Sequence, residues 1–262
     1  MIDVITGFLL LITGLIAGVL GGLLGIGGCV IMLPALAFVF GYPLPVAIGT
    51  TITAVILTAS SGAYGHLRIK NVDYTTAKTV AISGAVGAAI GSVLFLYISD
   101  QLWLLNFILG VAFLYVSIRM IYEGILRRKM PQKEGDRVPG SYKAKSVVGF
   151  AIGVVTGIVG LGGGYVLVPS FIYLLGSAVK IAVGTSLASF ISMAVVSGAF
   201  KLYQGVVNVF AAIGLGVGTV IGAQVGARLT KVVPPWAIKA IFGFVFLYVS
   251  LKFIWEGYIC LA

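Results

Sequence analysis

Charge is what this sequence has least of. Only 9% of its 262 residues are Asp, Glu, Lys or Arg, against about a quarter in a soluble globular domain, so the polar surface of one cannot be built. There is one histidine and there are two cysteines. Cys29 and Cys260 stand too far apart for a metal-binding spacing, and the bland reading of Cys29 is a small residue in a tight place. No Walker lysine follows either glycine run, which excludes an ATP-driven pump within this chain. No Ser-His-Asp set, paired carboxylates or cofactor motif converges, so neither a catalytic residue, a metal ligand nor a cofactor is expected, and the chain is not read as an enzyme. A basic amino-terminal region and small-residue cleavage pattern are also missing, so the first apolar stretch is kept as structure rather than read as a signal peptide.

What is present is apolar sequence: 60% of residues are hydrophobic, in stretches of span length from end to end. A membrane helix needs about 20 such residues. The expected class is an all-α polytopic membrane protein, multi-pass in the cell membrane, with the lipid bilayer as its solvent. The net charge of +10 falls mostly in loops and reads as membrane orientation, not as a nucleic-acid partner.

The first stretch, Ile5 to Phe40, is the informative one. As one helix its 36 residues would be about 54 Å long, against a hydrocarbon core of about 30 Å. It must break, and the place is the run Gly21 to Gly28, which leaves Pro34 near the start of the second piece. The same pattern returns as Gly157-Ile158-Val159-Gly160-Leu161-Gly162-Gly163-Gly164 before Pro169.

This is one element of an internal repeat. At an offset of 135, Gly14, Gly18, Gly22, Gly25, Gly27, Gly28, Pro34, Gly49, Thr50, Gly87 and Gly91 fall on Gly149, Gly153, Gly157, Gly160, Gly162, Gly163, Pro169, Gly184, Thr185, Gly222 and Gly226. Near the end, at an offset of 133, Phe113 to Ser117 and Glu123-Gly124 recur as Phe246 to Ser250 and Glu256-Gly257. The organisation is therefore a first transmembrane repeat over 1–126, a charged cytoplasmic linker over 127–145 and a second repeat over 146–262.

Hydropathy counts eight stretches. If each long first stretch is two segments, there are ten, five per half, and an odd number inverts the second copy. With the halves inverted, 15 of the 17 basic residues lie on the linker side and only Lys201 and Lys252 lie opposite; with the halves parallel the division is 13 against 4. Length and charge together favour an inverted repeat with broken first helices, the architecture of many secondary transporters.

A helix broken in the membrane offers unpaired N–H groups and the positive end of its dipole to an anion. The candidate substrate-binding glycines are Gly25, Gly27, Gly28, Gly160, Gly162, Gly163 and Gly164, and the competing reading is close helix crossing. Gly49-Thr50-Thr51 and Gly184-Thr185-Ser186 add hydroxyls, so Thr50, Thr51, Thr185 and Ser186 are candidates too, although hydroxyls also bond back to their own helix. The stripes Gly84, Gly87, Ala88, Gly91 and Gly214, Gly218, Gly222, Gly226 read as packing. Accessory candidates are Gln224 along its helix, Arg119 and Lys252 four residues before Glu123 and Glu256, and His66 with its counterpart Lys201.

The doubled Gly-x-x-Gly-x-Gly-Gly turn before a proline, the Gly-Thr-Thr/Ser of the next span and Asn71-Val72-Asp73 after a basic loop resemble the TauE/SafE family of sulfite and organosulfonate exporters over nearly the whole chain. The resemblance implies a secondary transporter, an exporter of small sulfur-containing anions such as sulfite or sulfoacetate. The chain departs from it where Lys201 and Val206-Val207-Asn208 stand in place of a histidine and Asn-Val-Asp. A channel-like anion pore and a non-transporting membrane scaffold or assembly factor are the alternatives, and a homodimer is expected only from the general frequency of two-fold assemblies.

Overall fold

The computed structural model describes residues 4–24, 27–126, 135–161, 163–229 and 235–261, and the secondary structure within them is helical. The first stretch breaks where its length requires. Helix α1 (Val4–Leu24) stops, and α2 (Cys29–Pro34) starts after Gly27 and Gly28, whose φ values of 77° and 73° are left-handed and favour glycine. A π turn over Ala35–Val39 prolongs α2 past its proline. Then come α3 (Leu44–Arg68), α4 (Tyr74–Ile98) and α5 (Leu102–Ile121).

The second half repeats the order. It has α6 (Tyr142–Val159), the short α7 (Gly164–Pro169) with its own π turn over Ser170–Leu174, then α8 (Val179–Tyr203), α9 (Val209–Leu229) and α10 (Pro235–Ile259). Among the described residues seven helices are long and apolar enough to cross a membrane, and Ile5–Gly21 and Cys29–Val39 are shorter apolar helices. His66 and Arg68 form the last turn of α3.

The chain divides into two compact units that interleave the repeats: residues 1–94 with 131–227, and 95–130 with 228–262. In the first unit α3 and α8 pack antiparallel, because Gly49 near the start of α3 faces the Val206 carbonyl just past the end of α8, while Gly184 near the start of α8 faces Asn71 just past the end of α3. Helix α1 runs parallel to α9, with Gly14 on Leu215 and Gly18 on Thr219. Helix α4 runs parallel to α6, with Gly84 on Gly153 and Gly91 on Val154. In the smaller unit α5 and α10 are antiparallel, with Ser117 Oγ donating to the Gly243 carbonyl at 3.0 Å and Ser250 Oγ to that of Gly110 at 2.8 Å. Phe113 stacks on Phe253 there, centroids 5.5 Å apart.

Equivalent helices that meet antiparallel, through reciprocal contacts, make the repeat an inverted one. The glycine stripes do the packing expected of them, since missing side chains let one helix rest directly on another's carbonyl row. A branched side chain at Gly222 would run into the Leu15 carbonyl and the Val19 amide, whereas a Cβ at Gly65 would meet nothing within 4 Å. Gly222→Leu is therefore expected to destabilise by roughly 1–3 kcal/mol or more, and Gly65→Ala to leave the thermal midpoint in detergent unchanged. Equal midpoints for the two variants would remove the packing role.

Candidate functional site

The two glycine breaks sit at matching places in the first unit. A Cβ on Gly27 would lie 3.8 Å from Val55, and one on Gly163 would lie 2.8 Å from the Phe190 ring. Val55 and Phe190 are each the twelfth residue of a 25-residue helix, α3 and α8. One turn beyond Val55, Thr58 Oγ1 donates to Thr219 Oγ1 of α9, and Thr219 is also the residue against which Gly18 packs. Gly28 closes on the Ala17 carbonyl, next to Gly18, so the start of α2 lies level with the middle of the antiparallel pair.

At each break the glycine before the short helix takes its first hydrogen bonds. The Gly28 carbonyl accepts from Ile31 N–H at 3.1 Å and Met32 N–H at 3.3 Å, and that of Gly163 from Val166 N–H at 3.1 Å and Leu167 N–H at 2.7 Å. Gly164 is the first residue of α7, while Gly160 ends α6 in the left-handed region at φ 66° and rests on Ile48 of α3. Gly25 and Gly162 lie outside the described residues.

The hydroxyls divide into two kinds. Thr50 Oγ1 accepts from Asn208 N–H at 3.0 Å and Thr185 Oγ1 accepts from Asp73 N–H at 3.0 Å, so each ties the loop that opens a helix of the other repeat. Ser186 Oγ donates back to the Val183 carbonyl at 2.8 Å. Thr51 differs. It is fully buried, and its Oγ1 has no hydrogen-bond partner among the described residues. It stands three residues after Ile48 and four before Val55, one helix face whose two ends touch Gly160 and Gly27.

The accessory residues do not gather. His66 lies beside Gly184 and Lys201, fully buried, beside Gly49; these are opposite ends of the α3 and α8 pair, about 25 Å apart by helix rise. Arg119 belongs to the smaller unit, where its Nε donates to Glu123 Oε1 at 2.9 Å, as the four-residue spacing implied. Lys252 lies half-buried in the same unit, on α10. Gln224 on α9 donates through Nε2 to Ser61 Oγ of α3 at 3.4 Å.

Chain similarity decides what kind of protein carries this arrangement. The family model described as "Sulfite exporter TauE/SafE" matches residues 10–253. The chain belongs to the TauE/SafE family. Curated relatives include the "Probable membrane transporter protein YunE" of Bacillus subtilis, 28% identical over 95% of this chain and 97% of that one. YdhB of the same organism, which carries the same description, is 29% identical over 88% and 94%. MJ0441 of Methanocaldococcus jannaschii is 26% identical over 87% of each chain. No solved structure matches. This TauE/SafE chain is thus a multi-pass membrane transporter.

Asp73, quoted in the sequence as part of the family motif, was not among the candidate site residues. Its Oδ1 accepts from Thr75 N–H and Thr76 N–H at 3.1 and 3.3 Å, capping α4, and its Oδ2 accepts from Thr76 Oγ1 at 2.6 Å and Val138 N–H at 3.0 Å. The buried Lys145 donates to Thr76 Oγ1 and to the Val138 carbonyl at 2.8 and 2.7 Å, which closes the knot. The signal available was its pairing in the repeat with Asn208, which caps α9 through Ala211 N–H and donates to Tyr42 Oη.

Burial pushes the Asp73 carboxyl up, but hydrogen bonds from Thr76 and Val138 and the Lys145 charge outweigh it, so it titrates below its usual value. The stabilisation from a depressed carboxylate is complete above the unfolded value, near pH 4, and is lost as pH falls through the folded one. Asp73→Asn presents an N–H group to donors on one side. It is expected to cost about 1–3 kcal/mol at neutral pH and to flatten the loss of thermal midpoint below about pH 4. A variant as acid-sensitive as the parent would show that the knot contributes nothing.

Proposed function

We propose that this transporter exports small sulfur-containing anions such as sulfite or sulfoacetate, held between the two glycine breaks. The observation that carries the reading is the Thr51 hydroxyl, fully buried and without a partner on the α3 face that links Gly160 to Gly27. A buried hydroxyl without a hydrogen bond costs free energy, so a ligand oxygen is the natural explanation for keeping it. The starts of α2 and α7 add positive dipole ends nearby, and α3 and α8 contain no carboxylate to repel an anion.

The sulfur chemistry is supported by the family description. Export is likewise supported by the family description alone, while charge supports the orientation: the inverted arrangement gathers 15 of 17 basic residues on the linker side, which positive-inside bias makes cytoplasmic. The proposal involves no chemical change of the anion.

The test is flux into proteoliposomes with sulfite, sulfoacetate and chloride, together with the thermal midpoint of Thr51 variants. Thr51→Val is expected to lower apparent affinity about ten- to a hundredfold, since a hydrogen bond to a charged group is lost, while keeping or raising the midpoint of the empty protein. Thr51→Ser should keep most of the flux. Ohmic, unsaturable current would replace the transporter with a pore, and absence of any flux would leave a scaffold.

A further inference from the structure

The two repeats match in backbone but not in polarity. Where α3 carries Ser60 and Ser61, α8 carries Val195 and Val196, and where α9 carries Gln224, α4 carries Ala89. Inversion brings the polar departures together, and Gln224 Nε2 donates to Ser61 Oγ at 3.4 Å. Ser60 and Gln224 are exposed and Ser61 is partly so. All three lie within membrane-span helices, α3 and α9.

Their depth follows from the packing. Helices α3 and α9 run parallel here, with Leu57 against Gly216, Thr58 bonded to Thr219 and Ser61 bonded to Gln224. Ser61 is three residues and Gln224 five residues beyond the Thr58–Thr219 pair, about 5 and 8 Å along their axes. The direction is toward the end of α3, where Asn71 to Asp73 meet Val138. The patch is thus between the glycine breaks and the linker face.

A primary amide has two N–H donors and two acceptor lone pairs, and Ser61 answers one of them. Hydrocarbon answers none of the rest, and such groups in a membrane ordinarily face a wet cavity or another polar surface. Neither α3 nor α9 contains an acidic residue. We propose that Ser60, Ser61 and Gln224 line a water-filled vestibule leading from the linker face to the glycine breaks, with hydroxyl and amide donors suited to a small hydrated oxyanion. The ligand class rests on the transport reading; the water does not.

The experiment uses the full chain with Cys29→Ala and Cys260→Ser, carrying single cysteines by Ser61→Cys or Gln224→Cys, and the repeat-related controls Val196→Cys and Ala89→Cys. Membrane vesicles of both orientations are treated with an anionic, membrane-impermeant methanethiosulfonate. Ser61→Cys and Gln224→Cys are expected to react at least tenfold faster than the controls, from the linker face only, and sulfoacetate, which unlike sulfite does not consume the reagent, is expected to slow them. Reaction only with a lipid-soluble maleimide would overturn the proposal by showing a lipid-facing surface. Spontaneous Gln224→Cys disulfide dimers that block the reagent would overturn it in favour of contact with a second copy. Fast one-sided labelling in a protein that moves no sulfite would keep the vestibule and defeat the substrate assignment.

Discussion

Inside a bilayer an N–H group without a partner has no water to turn to, and a chain that stops a helix halfway must supply partners at the break. The rest of the larger unit follows from that constraint. Glycine at 27 and 28 turns the chain back, and the Gly28 carbonyl takes the first hydrogen bonds of α2; the Gly163 carbonyl does the same for α7. The first N–H groups of any helix remain without an intrahelical partner, so a short helix begun at mid-depth carries donors that something else must meet. Packing brings the break against the middle of α3 in one repeat and of α8 in the other, with a fully buried threonine hydroxyl one turn away on α3.

The inverted symmetry divides labour among hydroxyls that look alike. Thr50 and Thr185 hold Asn208 and Asp73 across the repeats, which fixes where α9 and α4 begin. Their neighbours Thr51 and Ser186 stand one residue on, and a step of one residue turns a helix by about 100°, onto another face. That turn separates a structural hydroxyl from one beside the glycine breaks. Ser186 bonds its own helix at Val183, so the duplicated motif supplies one uncommitted hydroxyl rather than two.

Inversion was legible because two kinds of physics agree on it: 36 apolar residues do not fit the bilayer as one helix, and the basic residues divide more unevenly when the halves are inverted. The packing role of Gly87, Gly91, Gly222 and Gly226 was legible for the same reason of spacing. Their partners were not, because an offset of 135 identifies equivalent positions and says nothing about which helices touch. The cross-repeat bonds of Thr50 and Thr185 were hidden too, since their partners lie 158 and 112 residues away. Asp73 was hidden by its setting: one carboxylate in a short loop looks solvated until Val138 and Lys145 fold over it.

Departures from the repeat say where the two faces of the protein have ceased to be alike. On the linker face Asp73 binds Val138 and is backed by Lys145, so a charged knot fastens the starts of α4 and α6 to the linker. Its counterpart Asn208 has a neutral cap and one bond to Tyr42 at 3.3 Å. Charge-assisted bonds are roughly twice as strong as neutral ones. The caps of α4 and α9 at the two ends of the α3 and α8 pair are therefore unlike in charge. The polar residues at 60, 61 and 224 lie toward the end with the charged knot. A vestibule there has walls that already answer water, and the Thr185–Asp73 and Thr50–Asn208 hydrogen bonds hold the two ends of the pair alike while the charge stays on the linker face.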